Sequence, residues 1–280
     1  MTKNKLAERN GCADIAHPFF DMLIEYETVG KTIAPGKDES LDDLQLGGLK
    51  LIQKKKGFRL SMDSVLLADF ARISGNANVA DFGTGTGALL LLLWGRKKGN
   101  AFYGFEIQKE LAETAARTMI LNGLETRVRI YADDAGAADH ILPPNTLDAI
   151  ICNPPYGEPG SSVLNPSPEL MVSRHQTTDT IRRYAKAAYV LLKGKGRIFF
   201  VYPCAKMFNL MQVMHEAHLE PKRFRLVYPY ADKPANLVLI EGVKDAKPML
   251  HSMAPLIIFE REGCLTNELK SVYHINDQLE

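Results

Sequence analysis

The chain has 280 residues, of which 46% are hydrophobic and 24% are charged, so it has ample apolar material for a globular core. Its formal net charge of +1 argues against nucleic-acid binding through overall charge, but a local basic face is not excluded. Five clusters of Lys and Arg are candidates for such a face, each with a solvated loop or helix end as its alternative: Lys54 to Lys56, Arg96 to Lys98, Arg182 and Arg183, Lys193 with Lys195 and Arg197, and Lys222 with Arg223 and Arg225.

The four cysteines, Cys12, Cys152, Cys204 and Cys264, are widely scattered and form no CxxC pair. This spacing predicts neither a zinc site nor a disulfide framework, so no metal is expected. No stretch reaches 18 uncharged apolar residues, and the N-terminus has no long apolar core. We therefore expect a soluble, cytoplasmic protein without a membrane partner. The sequence does not predict an oligomeric state.

The first 40 residues have no clear hydrophobic period and are predicted to be an N-terminal extension to one domain that spans residues 41–280. From residue 41 the chain indicates short strands separated by glycines. These lead into "SMDSVLLADFARI", a predicted helix whose cap is Ser61 or Asp63.

The middle of the chain alternates predicted strands with predicted helices. A helix that ends at Gly194 and Gly196 precedes the fifth strand, and two closing strands form a hairpin. This alternation predicts an α/β fold with a mostly parallel seven-stranded sheet and a C-terminal antiparallel hairpin strand. The five leading strands are predicted at residues 77–82, 101–106, 127–132, 147–152 and 197–203.

A glycine-rich turn, "DFGTGTG", joins the first of these strands to the next helix. Gly83, Gly85 and Gly87 permit positive φ angles and let a ligand approach the backbone beside Thr84, near the positive end of a helix. The glycine spacing alone also satisfies the dinucleotide-binding pattern, and a plain strand-to-helix turn is the simpler alternative.

Acidic residues at three strand ends separate these alternatives. Asp81 ends the first strand, Glu106 the second, and Asp133 and Asp134 follow the third. A carboxylate at Glu106 suits ribose hydroxyls, and one of the Asp133–Asp134 pair suits the exocyclic amine of an adenine, while the other is expected to cap the next helix. A rim of acids fits a cationic ligand better than a pyrophosphate and so favours S-adenosylmethionine over NAD.

The fourth strand ends in "NPPY", and the amide of Asn153 together with backbone carbonyls at Pro154 and Pro155 offers acceptors for both hydrogens of an NH₂ group. Tyr156 supplies a face on which a flat base can stack. Methyl transfer to such a nitrogen needs orientation and acceptor hydrogen bonds, but no metal and no strong base. We expect Cys152, just before this motif, to pack in the core.

The motifs "DFGTGTG", "GFE", "YADD" and "NPPY", in this order, resemble those of class I, Rossmann-like amino-methyltransferases that modify adenine N6 or glutamine N5. Within that group, "LDDLQLGGLKLIQ", "GFRLSMDSVLLADF", "SRHQ" and "GRIFFVYP" resemble the bacterial tRNA (adenine-N6)-methyltransferase family that acts beside the anticodon of tRNA-Val. The resemblance runs from about Leu41 to the C-terminal region. It implies a Rossmann-like methyltransferase fold, S-adenosylmethionine as the cofactor and tRNA as the substrate.

The resemblance also implies roles for single residues. The catalytic motif falls on Asn153, Pro154, Pro155 and Tyr156, with Asn153 also beside the cofactor, and Asp63 with Ser64 matches a segment that closes over the cofactor. One departure is Arg174-His175-Gln176, where the family often has Arg-His-Glu. The implied cofactor residues are Asp63, Asp81, Gly83, Thr84, Gly85, Gly87, Glu106, Ile107, Asp133, Asp134 and Asn153.

Two other functions stay open from the sequence. Glutamine N5 methyltransferases of release factors also carry NPPY, but typically have an N-terminal helical bundle, for which residues 1–40 are too short and unpatterned. A non-catalytic binding module that keeps the fold is the other alternative, and the intact glycine loop and NPPY motif argue against it.

Overall fold

A computed structural model of the protein describes residues 33–56, 59–154 and 168–274, apart from the side chains of residues 168–177. Thirteen strands and six α-helices are present in these ranges. The strands are β1 (Glu39–Asp43), β2 (Lys50–Lys54), β3 (Asn78–Phe82), β4 (Ala101–Phe105), β5 (Val128–Tyr131), β6 (Leu147–Cys152), β7 (Leu192–Pro203), β8 (Leu219–Tyr228), β9 (Leu237–Lys244), β10 (His251–Ser252), β11 (Leu256–Ile257), β12 (Phe259–Arg261) and β13 (Cys264–Leu265). The helices are α1 (Met62–Phe70), α2 (Ala88–Gly95), α3 (Lys109–Leu121), α4 (Pro168–Leu191), α5 (Met207–Glu216) and α6 (Asn267–Val272).

Nine strands form the central sheet in the order β10-β8-β9-β7-β6-β3-β4-β5, and β11 also pairs with β8. In the described residues β9 is antiparallel to its neighbours β7 and β8, and the other pairings of this sheet are parallel. The predicted α/β class, the mostly parallel sheet and the closing hairpin are confirmed. The sheet has nine strands and not seven because two short strands, β10 and β11, add beside β8.

Apolar side chains cover both faces of the sheet. One core cluster packs α1, α2, α3 and α6 against one face, and the second packs α4 and α5 against the other. The six residues Ala88 to Leu93 at the start of α2 are all buried, which a helix with an apolar side chain at every position requires. The β1–β2 loop covers the far side of this helix, since Leu46 lies where a side chain at Gly95 would point.

The β1–β2 hairpin is fastened to α3 by polar contacts. The Arg117 guanidinium forms an ion pair with Glu39, which lowers the pKa of that carboxyl. The Lys50 N–H donates to Asn122 Oδ1 at 2.9 Å, and Asn122 Nδ2 donates to the Lys50 carbonyl at 2.7 Å. These contacts fix the hairpin outside the central sheet, on the face that carries α1 to α3.

The predicted helix end at Gly194 and Gly196 is wrong. The helix α4 ends at Leu191, and β7 begins at once because Leu192 is fully buried and pairs with Leu147. The next residue pair of this ladder is Ala149 with Arg197, so residues 193–196 bulge from the strand, with Lys195 at φ +64°. The glycines therefore serve a bulge at the amino end of β7.

Of the helices within the described ranges, none is long and apolar enough to cross a membrane. Those same ranges contain no group of three or more His, Cys, Asp or Glu side chains placed to hold a metal ion. Cys152, Cys204 and Cys264 are free thiols. Most of the predicted N-terminal extension, residues 1–32, lies outside the described residues, and β1 begins at Glu39.

Candidate active site

The register of the sheet brings three strand ends to one level. Phe82, the last residue of β3, pairs with Phe105 of β4 on one side and with Cys152 of β6 on the other. The residues that follow these pairs, Gly83, Glu106 and Asn153, therefore lie side by side at the carboxyl edge of the sheet. Predicted residues from three separate segments meet at this edge.

The glycine loop is held by backbone hydrogen bonds. The N–H groups of Gly83 and Thr84 both donate to the Phe105 carbonyl at 2.9 Å, and Gly87 N–H donates to the Thr84 carbonyl. Gly83, Gly85 and Gly87 have φ angles of +81°, +57° and +84°, which residues with a Cβ rarely adopt. A Cβ at Gly87 would lie 2.4 Å from Met119, whereas one at Gly83 would have no described residue within 4 Å. The loop is thus packed against α3 at one end and open at the other.

Asp81 is a buried carboxylate that is fully inaccessible to solvent. Within the described part of the chain, no well-aligned hydrogen bond reaches either of its oxygens or the Thr84 hydroxyl, although that hydroxyl lies close enough to act on the carboxyl. Burial raises the pKa of Asp81 to about 7; the nearby Thr84 hydroxyl opposes this shift and the charge of Glu106 adds to it. A buried carboxylate left unpaired is costly, so this position favours a cationic ligand group.

Glu106 connects the second strand to the glycine loop. The side chain is buried, and its Oε2 accepts a hydrogen bond from Gly85 N–H at 3.0 Å while its Oε1 accepts one from Gln108 N–H at 2.9 Å. Next to it, the apolar side chain of Ile107 is 68% exposed. The Glu106 carboxylate can accept hydrogen bonds from ribose hydroxyls, and the neighbouring Ile107 side chain offers an apolar surface for a flat base. Together they suit a nucleoside.

The two aspartates after β5 have different environments. Asp134 accepts a hydrogen bond from Gly136 N–H at 2.8 Å, caps the short 3-10 helix of residues 135–140, and pairs with Arg183. Asp133 is half-buried, and its Oδ1 accepts from Asp134 N–H. The expectation that one of the pair caps the next helix is confirmed for Asp134.

Asn153 is positioned by α1. Its Nδ2 donates to the hydroxyl of Ser64, a buried residue in the first turn of α1, at 3.1 Å. The neighbouring Asp63 is partly buried, which raises the pKa of its carboxyl. Ser61 stands at the predicted N-cap position, but its side chain forms no cap hydrogen bond. The sequence predicted a cofactor role for this segment, and the contact with Asn153 is an additional finding.

Cys152 lies just beneath this corner as a packing residue. Its thiol is fully buried and donates to the Phe82 carbonyl at 3.3 Å, and burial raises its pKa well above the ordinary value. A thiol held in its protonated form is a poor nucleophile. Pro154 is the last described residue of the NPPY motif: Pro155 and Tyr156 lie outside the described residues, as do the side chains of Arg174, His175 and Gln176.

Curated proteins of known name resemble the chain over most of its length. The tRNA1(Val) (adenine(37)-N6)-methyltransferase of Aliivibrio salmonicida is 25% identical over 218 residues, which cover 78% of this chain and 90% of that protein. The protein of the same name from Bacteroides thetaiotaomicron is 26% identical over 216 residues, 77% of this chain and 83% of that protein. The resemblance predicted from the motifs is thereby confirmed at the level of these relatives.

Solved structures and family models agree with the fold. The crystal structure titled a "predicted O-methyltransferase" from Agrobacterium tumefaciens matches with a TM-score of 0.61 at 19% identity, over 76% of this chain and 96% of that one. The family described as "Methyltransferase small domain" matches residues 61–218, more than half of the chain. This range contains the glycine loop, all three acidic strand ends and the NPPY motif. The chain therefore belongs to the methyltransferase small domain family.

Proposed function

We propose that the protein transfers a methyl group from S-adenosylmethionine to the exocyclic N6 amine of an adenine in tRNA. One observation carries the proposal: Asn153, followed by Pro154, lies at the carboxyl edge beside the glycine loop and is oriented there by Ser64.

The described residues fit S-adenosylmethionine. The unpaired, buried carboxylate of Asp81 would hold the ammonium group, Glu106 the ribose hydroxyls, and Ile107 a face of the adenine ring. Asp133, whose neighbour Asp134 is occupied by the helix cap and Arg183, would accept from the adenine amine. Gly83 leaves space where another residue would place a side chain. When bound, this cofactor supplies an electrophilic methyl group on a sulfonium.

Asn153 and Pro154 act on the nucleophile. The nitrogen of adenine N6 is a poor nucleophile because its lone pair is delocalised into the ring. The Asn153 side chain donates to Ser64 through Nδ2, which assigns Oδ1 as its acceptor for one hydrogen of an NH₂ group. A backbone carbonyl at the proline pair would accept the second hydrogen. Holding both hydrogens draws the nitrogen toward tetrahedral geometry and aims its lone pair at the methyl group.

The choice of tRNA rests on the relatives and on the motifs they share with this chain. Their names specify adenine 37 of a valine tRNA, and the family that the motifs resemble acts beside the anticodon. An adenine within a stacked loop must leave the stack to reach such a corner, as in other enzymes that modify bases. We therefore propose the adenine beside the anticodon of tRNA-Val as the target.

Methylation of tRNA from a strain that lacks this protein tests the function. The purified enzyme, tritiated S-adenosylmethionine and this tRNA are expected to yield labelled N6-methyladenosine after nuclease digestion, and Asn153→Ala is expected to abolish most of the label. Release factor protein is the parallel substrate. Label on release factor and none on tRNA would replace adenine N6 by glutamine N5 as the target.

A further inference from the structure

A basic groove lies on the sheet face that carries α1, away from the glycine loop. It consists of two cavities of about 420 and 510 Å³ that share Arg72, Ile73 and Ser74. The first cavity runs from the end of α1 to β8, and the second runs along the amino ends of β3, β6 and β7. Seven cationic residues line this basic groove: Arg72, Lys98, Lys193, Lys195, Arg197, Arg223 and Arg225.

Carboxylates compensate these charges only in part. Asp69 and Asp148 line the groove, and Asp148 pairs with Lys193 at 2.7 Å. Glu241 pairs with both Arg223 at 2.7 Å and Arg197 at 3.4 Å, and Glu268 pairs with Arg225 at 2.6 Å. Among the described residues, seven cations against four carboxylates leave an excess of three positive charges, in a chain whose net charge is only +1. The excess is therefore a local feature of this surface.

The cations lie close enough to repel one another. Burial lowers the pKa of Arg223, with the charges of Arg72 and Arg197 adding to the effect and Glu241 opposing it. Burial also lowers the pKa of Lys98 to about 8, helped by Arg96 and Arg223 and opposed by Asp69. Repulsion of this kind is relieved when an anion binds between the cations.

The strand register relates the groove to Asn153. Arg225 of β8 pairs with Leu239 of β9, which pairs with Val201 of β7. Phe200, the residue before Val201, pairs with Cys152 of β6, so Val201 lies level with Asn153. Arg225 is thus level with Asn153, three strands away in the sheet order, or about 14 Å at the usual strand spacing. From that level the groove descends to Arg197 and the bulge of residues 193–196, about 13 Å along the strands.

We propose that the basic groove binds the sugar-phosphate backbone of the RNA substrate, on the stem that adjoins the loop whose adenine lies at Asn153. The inference rests on the proposed function. A row of cations that extends over about 13 Å matches successive phosphates better than one small anion. Arg72 and Arg197 are exposed arginines, and the planar guanidinium of such a residue binds phosphate through two hydrogen bonds. The side chains of Arg223 and Arg225 are only 11% and 12% exposed and donate to acceptors within the protein, so they contribute positive charge behind these two. Phosphate contacts would set the position of the stem without reading its sequence.

The test compares two charge-reversal variants. Arg72→Glu with Lys195→Glu alters the groove: Arg72 is exposed, and Lys195 donates to the Asp245 backbone carbonyl, so neither change strands a buried carboxylate. Arg127→Glu with Arg129→Glu is the matched control, because both arginines are exposed at β5, on the opposite edge of the sheet. Each pair lowers the net charge by the same amount.

Equilibrium binding of tRNA is measured as a function of KCl concentration, together with the Kd for S-adenosylmethionine and the thermal melting of each variant. The groove variant is expected to weaken tRNA binding at least about tenfold and to lower the slope of log K against log salt by about two, since each lost phosphate contact contributes about 0.9. Its cofactor Kd, and tRNA binding by the control, are expected to stay within about twofold of the original protein. The neutral pair Arg72→Ala and Lys195→Ala is expected to act in the same direction.

A groove variant whose tRNA affinity and salt slope equal those of the control would overturn the groove proposal, and tRNA methylation by the original protein would then leave the proposed function intact. If tRNA binding depends on the groove but no adenine is methylated, the groove proposal is supported and the proposed function is refuted. A protein that neither binds nor methylates tRNA overturns both.

Discussion

Asn153 donates a hydrogen bond of 3.1 Å to the hydroxyl of Ser64, which lies 89 positions earlier in the chain. The bond joins the end of β6 to the first turn of α1 and orients the amide, with Nδ2 toward the helix. An amide that turned over would present a donor where the target amine needs an acceptor. The Ser64 hydroxyl therefore positions the acceptor and does not itself touch the methyl acceptor in the proposed reaction.

Replacing Ser64 by Ala removes the hydrogen bond and leaves α1 intact. The loss of one such bond costs about 0.5–1.5 kcal/mol, so we expect kcat for tRNA methylation to fall about two- to tenfold. The Kd for S-adenosylmethionine, measured by calorimetry, is expected to stay within about twofold because the glycine loop is unchanged.

Ser61→Ala is the matched control for Ser64→Ala. It removes a serine hydroxyl three residues earlier in the chain, at a position where the side chain forms no cap hydrogen bond. Its kcat and its melting temperature are expected to equal those of the original protein. Equal rates for both variants would mean that Ser64 does not orient Asn153.

Asn153→Ala removes the side-chain acceptor itself. We expect kcat to fall at least about a hundredfold, because orientation of the amine is the main catalytic contribution proposed for this corner. Cofactor affinity is expected to change little, which single-turnover rates and equilibrium binding together resolve. If cofactor affinity falls strongly while the rate at saturating cofactor is unchanged, Asn153 binds the cofactor and has no role in the catalytic step.

Glu106→Gln tests the ribose contact. A glutamine side chain offers one carbonyl oxygen where Glu106 accepts two backbone N–H bonds, so we expect the Kd for S-adenosylmethionine to rise at least about tenfold. A cofactor analogue without the ribose 2′-hydroxyl separates this contact from loop damage. The original protein is expected to bind the analogue more weakly than the cofactor, and Glu106→Gln to discriminate less. Undiminished discrimination by the variant would refute the ribose assignment.

Local sequence patterns predicted the elements that meet at the carboxyl edge. The strand at residues 147–152 was predicted at its observed bounds, because a buried parallel strand is a continuous apolar run that ends at a breaking residue. The glycine loop is predicted as well, because three glycines between a strand and a helix permit positive φ angles, and the acidic strand ends then favour a nucleoside ligand over a plain turn. What places the acids and the amide together is the parallel register, which follows from the fold class.

Contacts between distant segments left no local signal. The Ser64 hydroxyl pairs with Asn153 only because α1 packs over the end of β6. Likewise the basic residues of the groove come from four segments of the chain. They share one surface because β9 lies between β7 and β8, where Glu241 of β9 contacts both Arg197 of β7 and Arg223 of β8. Gly194 and Gly196 predict a helix end but form a bulge at residues 193–196, since glycine is typical of both.

Asp81 predicts how cofactor binding depends on pH. Its pKa of about 7 is raised from 3.8 by burial, so the carboxyl of the free protein is largely protonated at pH 6 and ionised at pH 8. In the proposed site the ammonium group of the cofactor would pair with the ionised form of Asp81, so we expect cofactor affinity to fall by up to about tenfold per pH unit below 7. Binding near pH 7 is expected to release a fraction of a proton, which calorimetry in buffers of different ionisation enthalpy measures.

Asp81→Asn is the matched variant, because the amide has the same shape and does not titrate. Its cofactor Kd is expected to be higher than that of the original protein at pH 8 and flat between pH 5.5 and 7.5, without proton release.

The raised pKa of Asp81 also affects the stability of the free protein. Since the folded state holds a proton that the unfolded state loses above 3.8, the stability from Asp81 is present at low pH and is lost as pH rises through about 7. The free Asp81→Asn protein should lack this loss, and a pH-dependent Kd in that variant would assign the titration to another group.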